Sequence, residues 1–197
     1  MKVELDRDLA ARLLDDAGWA IGSDGVRAKD GVRAAFDIWY SSDDSARQAI
    51  ANELSNQFAQ IGIEASPRGG SWDEIYSHQY EQPVLWGWGS NSPIEVYALN
   101  YSTGWGNYAC YENAAIDAHL DEALAQQNIE DSYAYWQLAA WDGENGFAPK
   151  GAATWAWIAN VDHLYFKREG LVVADQKPHP HGHGWSLVNN VDRWEWS

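Results

Sequence analysis

Positive charge and sulfur are scarce in this chain of 197 residues, which carries 13 Lys and Arg against 29 Asp and Glu, one Cys and one Met. The resulting net charge of −16 repels phosphate backbones, so nucleic acid is excluded as a partner and anionic membranes are poor ones. A lone thiol, Cys110, can form neither an internal disulfide nor a metal site, and it reads as a small buried apolar residue. No apolar run reaches the length of a membrane span, and no basic-then-apolar leader opens the chain. Enzymatic signatures are missing too: there is no nucleophile elbow, no phosphate-cradling Gly loop and no His-Glu-x-x-His helix. Asp73/Glu74 and Asp121/Glu122 offer carboxylate pairs, but nothing sets two of them across a cleft. They read as surface acids near helix starts, so no catalytic residue and no cofactor is expected.

What the chain has instead is aromatic residues, 13 Trp and 10 Tyr. Most belong in a core, because large rings dominate burial. The pattern around them alternates strands with helices. Asp6 caps a first helix with Leu9, Leu13 and Ala17 on one face, and Gly18 supplies its left-handed stop. Asp24-Gly25 and Asp30-Gly31 mark turns, with a short strand at Trp19 to Ile21. Val32 to Tyr40 alternates with period two, as a half-buried strand does. Ser41 or Ser42 caps a helix carrying Ala46, Ile50, Leu54, Phe58 and Ile61 at helical spacing, and Gly62 ends it before a strand at Ile63 to Ala65.

Ser71 caps the next helix, to about Tyr80, and Val84 to Trp88 reads as a third strand. Ser92-Pro93 starts a helix, and Asn113 starts another with Ile116, Leu120 and Leu124 inward. Ile129 to Trp141 follows, with Tyr133, Trp136 and Ala140 aligned. Trp155 to Ile158 and Val161 to Phe166 read as two more strands. This order argues an α/β lobe with a mixed sheet flanked by helices.

The aromatic strand is the favoured site. In an open α/β sheet, ligands sit where strands run into loops and helix N-termini. Trp86-Gly87-Trp88-Gly89-Ser90-Asn91-Ser92-Pro93 has that form, and its glycines let a ligand backbone approach closely. The candidate ligand-binding residues are Trp86, Trp88, Gly89, Ser90 and Asn91, joined by Tyr101, Trp105, Asn107 and Tyr108 in the loop that follows. Asn113 and Asp117 read as a cap and a first-turn acid.

Four segments also carry a resemblance: Leu13-Leu14-Asp15-Asp16-Ala17-Gly18-Trp19, the paired Asp-Gly turns, Gln60-Ile61-Gly62-Ile63-Glu64, and Asn107-Tyr108 through Asn113 to Asp117. In this order and spacing they resemble the extracellular solute-binding proteins of ABC importers, family 5, the oligopeptide, dipeptide and nickel type. The likeness runs over about residues 6 to 168 and falls on the C-terminal lobe of a two-lobed, periplasmic-binding-protein-like fold. It implies a hinged trap that closes over a peptide or other small solute and delivers it to ABC permease subunits. It further implies an N-terminal lobe outside these residues, an extracytoplasmic place as a periplasmic protein or cell-surface lipoprotein, and a signal segment upstream. In oligopeptide-binding members an Asp after the aromatic strand pairs with the ligand amine. Here the matching stretch, Gly89-Ser90-Asn91-Ser92, has no acid, which favours longer or blocked peptides or a neutral oligosaccharide.

The division suggested is a ligand-binding lobe over 1–170 and a His-rich tail over 171–197 that packs on the missing lobe. His179, His181 and His183 alternate in that tail and form the one metal-like signal. Without an acid or Cys at ligand spacing they read as packing or hydrogen-bonding residues. His78, His119 and His163 read likewise.

Overall fold

The structure is a computed structural model that describes residues 5–88, 93–161, 164–175 and 190–197. The chain forms two compact units, Met1–Trp86 and Gly87–Ser197.

In the N-terminal unit, helix α1 (Arg7–Asp16) is capped by Asp6, whose carboxylate accepts from the Leu9 amide at 2.7 Å. The helix buries no residue: Leu9 and Leu13 are 44% and 58% exposed, so its apolar face is left to solvent. Strands β1 (Ala20–Ile21), β2 (Arg27–Lys29) and β3 (Val32–Arg33) form an antiparallel meander. Asp30 and Gly31 both take positive φ, 51° and 80°, which is what a two-residue hairpin twisted to match its strands requires.

The run expected as one strand from Val32 to Tyr40 is two. The Ala34 amide donates to the Arg27 carbonyl of β2, while its own carbonyl accepts from Glu64. The chain therefore changes partner at Ala34, and β4 (Ala35–Ser41) pairs in parallel with β5 (Glu64–Gly70), from Ala35↔Glu64 to Ser41↔Gly70. Strand β5 is longer than the three residues expected, and it tolerates Pro67 because it lies at an edge of this ladder.

Between them runs helix α2 (Ser45–Ala59), capped by Asp44 rather than by Ser41 or Ser42. Ser41 belongs to β4, so the cap falls later. Ile50, Leu54 and Phe58 pack on a core of Ile38, Tyr40, Ala51, Ala65 and Leu85, and Phe58 meets Phe36 edge-on at 5.4 Å. Gly62 closes the crossover at φ 79°, where an added Cβ would lie 2.5 Å from Ile21 Cδ1.

Helix α3 (Trp72–His78) carries a capping box between Ser71 and Glu74. The third strand, expected over Val84 to Trp88, is reduced to a single parallel bridge from Trp39 to Val84.

The C-terminal unit builds its core from helices joined by long irregular segments. Helix α4 (Ile94–Asn100) follows Pro93, while α5 (Ala114–Ala125) and α6 (Ile129–Ala140) form its centre. Asn113 caps α5 by accepting from the Ala115 and Ile116 amides. The core is Ile116, Leu120 and Ala139, packed by Val96, Tyr97, Tyr101, Trp136 and Phe147. Two expectations change here. Leu124 is 45% exposed, and Ala123 takes the inward place instead. On α6 the inward face is Ser132, Trp136 and Ala139, with Tyr133 half exposed. The Trp136 indole explains the shift, since it donates to Ser132 Oγ at 2.9 Å and draws that side of the helix inward.

Neither strand expected over 155–158 and 161–166 forms among the described residues. Alternation signals an extended chain, but a strand also needs a ladder partner, and none pairs here. Strand β6 (Leu171–Val172) pairs antiparallel with β7 (Glu195–Trp196), linking residues after Gly170 to the end of the chain. Cys110, expected buried, is exposed at φ 49°. It sits in a turn where its amide donates to the Asn107 carbonyl at 3.1 Å.

Candidate ligand-binding site

The N-terminal unit gathers one group of rings through α3. Trp86 stacks on Trp72 at 5.7 Å and lies 5.9 Å from Tyr76, so the turn after the Val84 bridge rests on the first two turns of α3. The capping box fixes that helix start: Ser71 Oγ and the Ser71 amide both contact Glu74 Oε2 at 2.8 Å. These bonds, led by the backbone one, hold the Glu74 carboxyl below its ordinary value. Nearby, His78 stacks on Trp39 at 4.4 Å, a packing role like the one expected for it.

A second group lies in the C-terminal unit. Trp88 contacts Trp105 at 5.4 Å and meets Trp155 edge-on at 6.2 Å. Trp155 in turn meets Tyr108 at 6.2 Å and stacks with Trp157 at 6.0 Å. The four indoles form a strip in the order 105, 88, 155, 157, with Tyr108 at the side of Trp155. Its interior rings are half-buried, while the end rings Trp105 and Trp157 are 65% and 68% exposed. The strip is anchored from behind. The Trp155 indole donates to the Leu99 carbonyl at 3.4 Å, and Thr154 Oγ1 donates to Asn100 Oδ1 at 2.8 Å.

Of the candidate residues, Trp88, Trp105 and Tyr108 thus share one strip, and Trp86 belongs to the other group. Tyr101 and Asn107 support the scaffold. Asn107 is buried, and its amide donates to the Ser102 and Tyr111 carbonyls, closing the loop that presents Trp105 and Tyr108. Tyr101 stacks on Tyr97 at 4.4 Å, and each phenol donates to one oxygen of Asp121 at 3.2 Å. Desolvation first, then the Tyr101 and Asp121 contacts, push the Tyr97 phenol above its ordinary value. Gly89, Ser90, Asn91 and the metal-like His179, His181 and His183 lie outside the described residues, as does His163.

The strip also holds Trp155 and Trp157, which the sequence pattern assigns to a strand and not to the candidate site. The signal for them is Trp-Ala-Trp, whose spacing sends both rings to one side of an extended chain.

Two of the four carboxylates considered for catalysis have other work. Glu74 caps α3 and Asp121 receives two phenols. Among the described residues no group of three or more His, Cys, Asp or Glu side chains is placed to hold a metal ion. No helix among them is long and apolar enough to cross a membrane.

Comparison with known proteins gives the family and the fold. The family described as bacterial extracellular solute-binding proteins, family 5 Middle, matches residues 2–109, just over half of the chain. Protein XP55 of Streptomyces lividans is 34% identical over 171 residues, covering 83% of this chain and 30% of that protein. The oligopeptide-binding protein AppA of Bacillus subtilis is 26% identical over 145 residues, covering 68% of this chain and 26% of its own length. The AppA structure, solved in complex with a nonapeptide, superposes with a TM-score of 0.70 at 20% identity over 98% of this chain and 38% of that one. NikZ from Campylobacter jejuni, solved with Ni(L-His), gives a TM-score of 0.62 at 26% identity over 68% of this chain and 29% of that one. The chain therefore spans between 26% and 38% of the length of these proteins. With half of its length matched by one family model, and with a fold shared with periplasmic-binding-protein-like structures, the chain belongs to the bacterial extracellular solute-binding proteins, family 5.

Proposed function

We propose that this chain is the ligand-contacting part of the substrate-binding component of an ABC importer, acting outside the cytoplasm on an oligopeptide-like solute and delivering it to permease subunits. The observation that carries this reading is the indole strip, whose exposed ends are braced by half-buried rings on a family 5 scaffold. Rigid aromatic faces give large contact area at low entropic cost, and they accept varied side chains without demanding one shape. Trp86, Trp88, Trp105 and Tyr108 are the proposed contact residues, together with Gly89, Ser90 and Asn91. The sequence similarity to AppA favours a peptide.

A binder of this kind closes only through differential contacts with ligand in its closed state. We place the opposing wall in an N-terminal lobe of the same protein, and residues 171–197 against that lobe. A lipid-anchored or periplasmic location follows from the same reading. The 197-residue chain alone then binds peptide only weakly. Isothermal titration should show affinity weaker than micromolar, and a micromolar value would contradict the divided site.

A second reading rests on the same exposed Trp faces, which stack well on sugar rings. A thermal-shift screen with peptides and oligosaccharides separates the two. Stabilisation by oligosaccharides alone would overturn the peptide reading.

A further inference from the structure

We infer that the indole strip selects basic side chains, so that the solute of the proposed site is a peptide carrying Lys or Arg. This rests on the peptide reading and narrows it. Two independent observations converge.

The first is ring geometry. Trp105 and Trp157 present open faces at the two ends of the strip, 65% and 68% exposed. Trp157 is held by stacking on Trp155, which is itself bonded to the Leu99 carbonyl. A Trp face is the strongest aromatic partner for a cation, because its quadrupole is negative above and below the ring plane. A face already oriented by its neighbours needs no further ordering to receive one.

The second is charge. The chain carries −16 overall, so its field draws cations and repels anions. Residues 87–197 hold 14 Asp and Glu against 5 Lys and Arg, so the unit that bears the strip is itself acidic. A neutral sugar would gain nothing from that field, and an acidic peptide would be opposed by it.

The test uses the 197-residue chain and three end-blocked pentapeptides that differ only in bearing lysine, glutamine or glutamate at two positions. Indole N–H shifts in NMR titrations report binding at millimolar concentrations. The lysine peptide should bind about three- to tenfold more tightly than the glutamine peptide, with the glutamate peptide weakest. Trp105→Leu and Trp157→Leu should each remove most of the lysine-over-glutamine ratio. Trp157→Phe, which keeps a ring with a weaker face, should retain part of it and guards against a folding defect in the Leu variant.

Equal binding of the lysine and glutamine peptides, with both weakened by the Leu variants, would overturn the basic preference and leave the peptide site standing. A lysine preference untouched by the Leu variants would assign it to bulk charge and overturn the role of the strip. Binding of an oligosaccharide with no response to any peptide would overturn the peptide reading and this inference together.

Discussion

The two units solve the same burial problem by different means. In Met1–Trp86 the backbone pairs along a parallel ladder and an antiparallel meander, and one arginine ties them together. Arg27, only 4% exposed, donates to Asp15 at 2.5 Å, to the Trp19 carbonyl at 2.6 Å and to the Ile61 carbonyl at 2.7 Å. In Gly87–Ser197 two helices make the core, and long irregular segments carry rings that stay in solvent. The contrast separates buried scaffold from exposed rings. The parallel ladder packs its side chains around Ile38, Tyr40 and Ala65, whereas the irregular segments of the other unit leave Trp105 and Trp157 mostly in solvent.

The sharpest way to break this contrast is to remove a core side chain from the helical unit. Leu120 is fully buried between α5 and α6, so Leu120→Ala should cost about 2–5 kcal/mol, read by chemical denaturation. If the loss were confined to hydrogen-exchange protection in that unit, the units would be shown to unfold separately. Next comes Arg27→Met in the other unit. It keeps the aliphatic stem but leaves the Trp19 and Ile61 carbonyls without their donor, at an expected cost of about 1–3 kcal/mol. A loss below that range would mean that water replaces the guanidinium, and the arginine would not be the tie described.

The units should also part company with pH. Asp24, Asp44 and Glu74 all titrate below their ordinary values in the N-terminal unit, held respectively by Arg33, the Arg47 amide and the Ser71 amide. A carboxylate lowered in the folded state contributes stability above its unfolded pKa and loses it as pH falls through the folded one. Among the described residues of the other unit, Asp142 alone is lowered in the same way, held chiefly by the Asn145 amide. Tyr97 works in the opposite direction. Its raised phenol contributes stability below the ordinary value of 10.0, and that contribution fades as pH rises beyond it. Amide exchange resolved by unit should therefore show acid loosening the N-terminal unit first and alkali loosening the C-terminal unit first. The reverse order would refute the assignment.

Much of the scaffold was legible because its signals are local. Asp6, Ser71 and Asn113 each cap the helix expected of them, and Gly18, Gly25, Gly31 and Gly62 all take positive φ. What was not legible depended on partners remote in sequence. Nothing near Ala34 announces that its amide and carbonyl serve different sheets, and nothing in Trp155 to Ile158 says that no strand waits to pair. The candidate site was half readable for the same reason. Trp88, Trp105 and Tyr108 stand in a Gly- and Asn-rich setting that marks them, whereas Trp155 meets their rings only through folding.

The smallest effects test the comparison most finely, because they ask whether exposed apolar residues contribute to the fold at all. Leu124 lies one turn beyond Leu120 yet is 45% exposed, so Leu124→Lys should shift stability by no more than about 0.5 kcal/mol. Trp157 poses the harder case. Its stacking on Trp155 gives it some structural value, but with 68% of its surface in solvent little apolar area is lost on Trp157→Leu. Thermal melts of this variant should stay within about 0.5 kcal/mol of the parent, while its response to the lysine peptide falls. A variant that melts early as well would place Trp157 in the scaffold, and the division between the rings that hold the fold and those that meet a solute would have to be drawn further out along the strip.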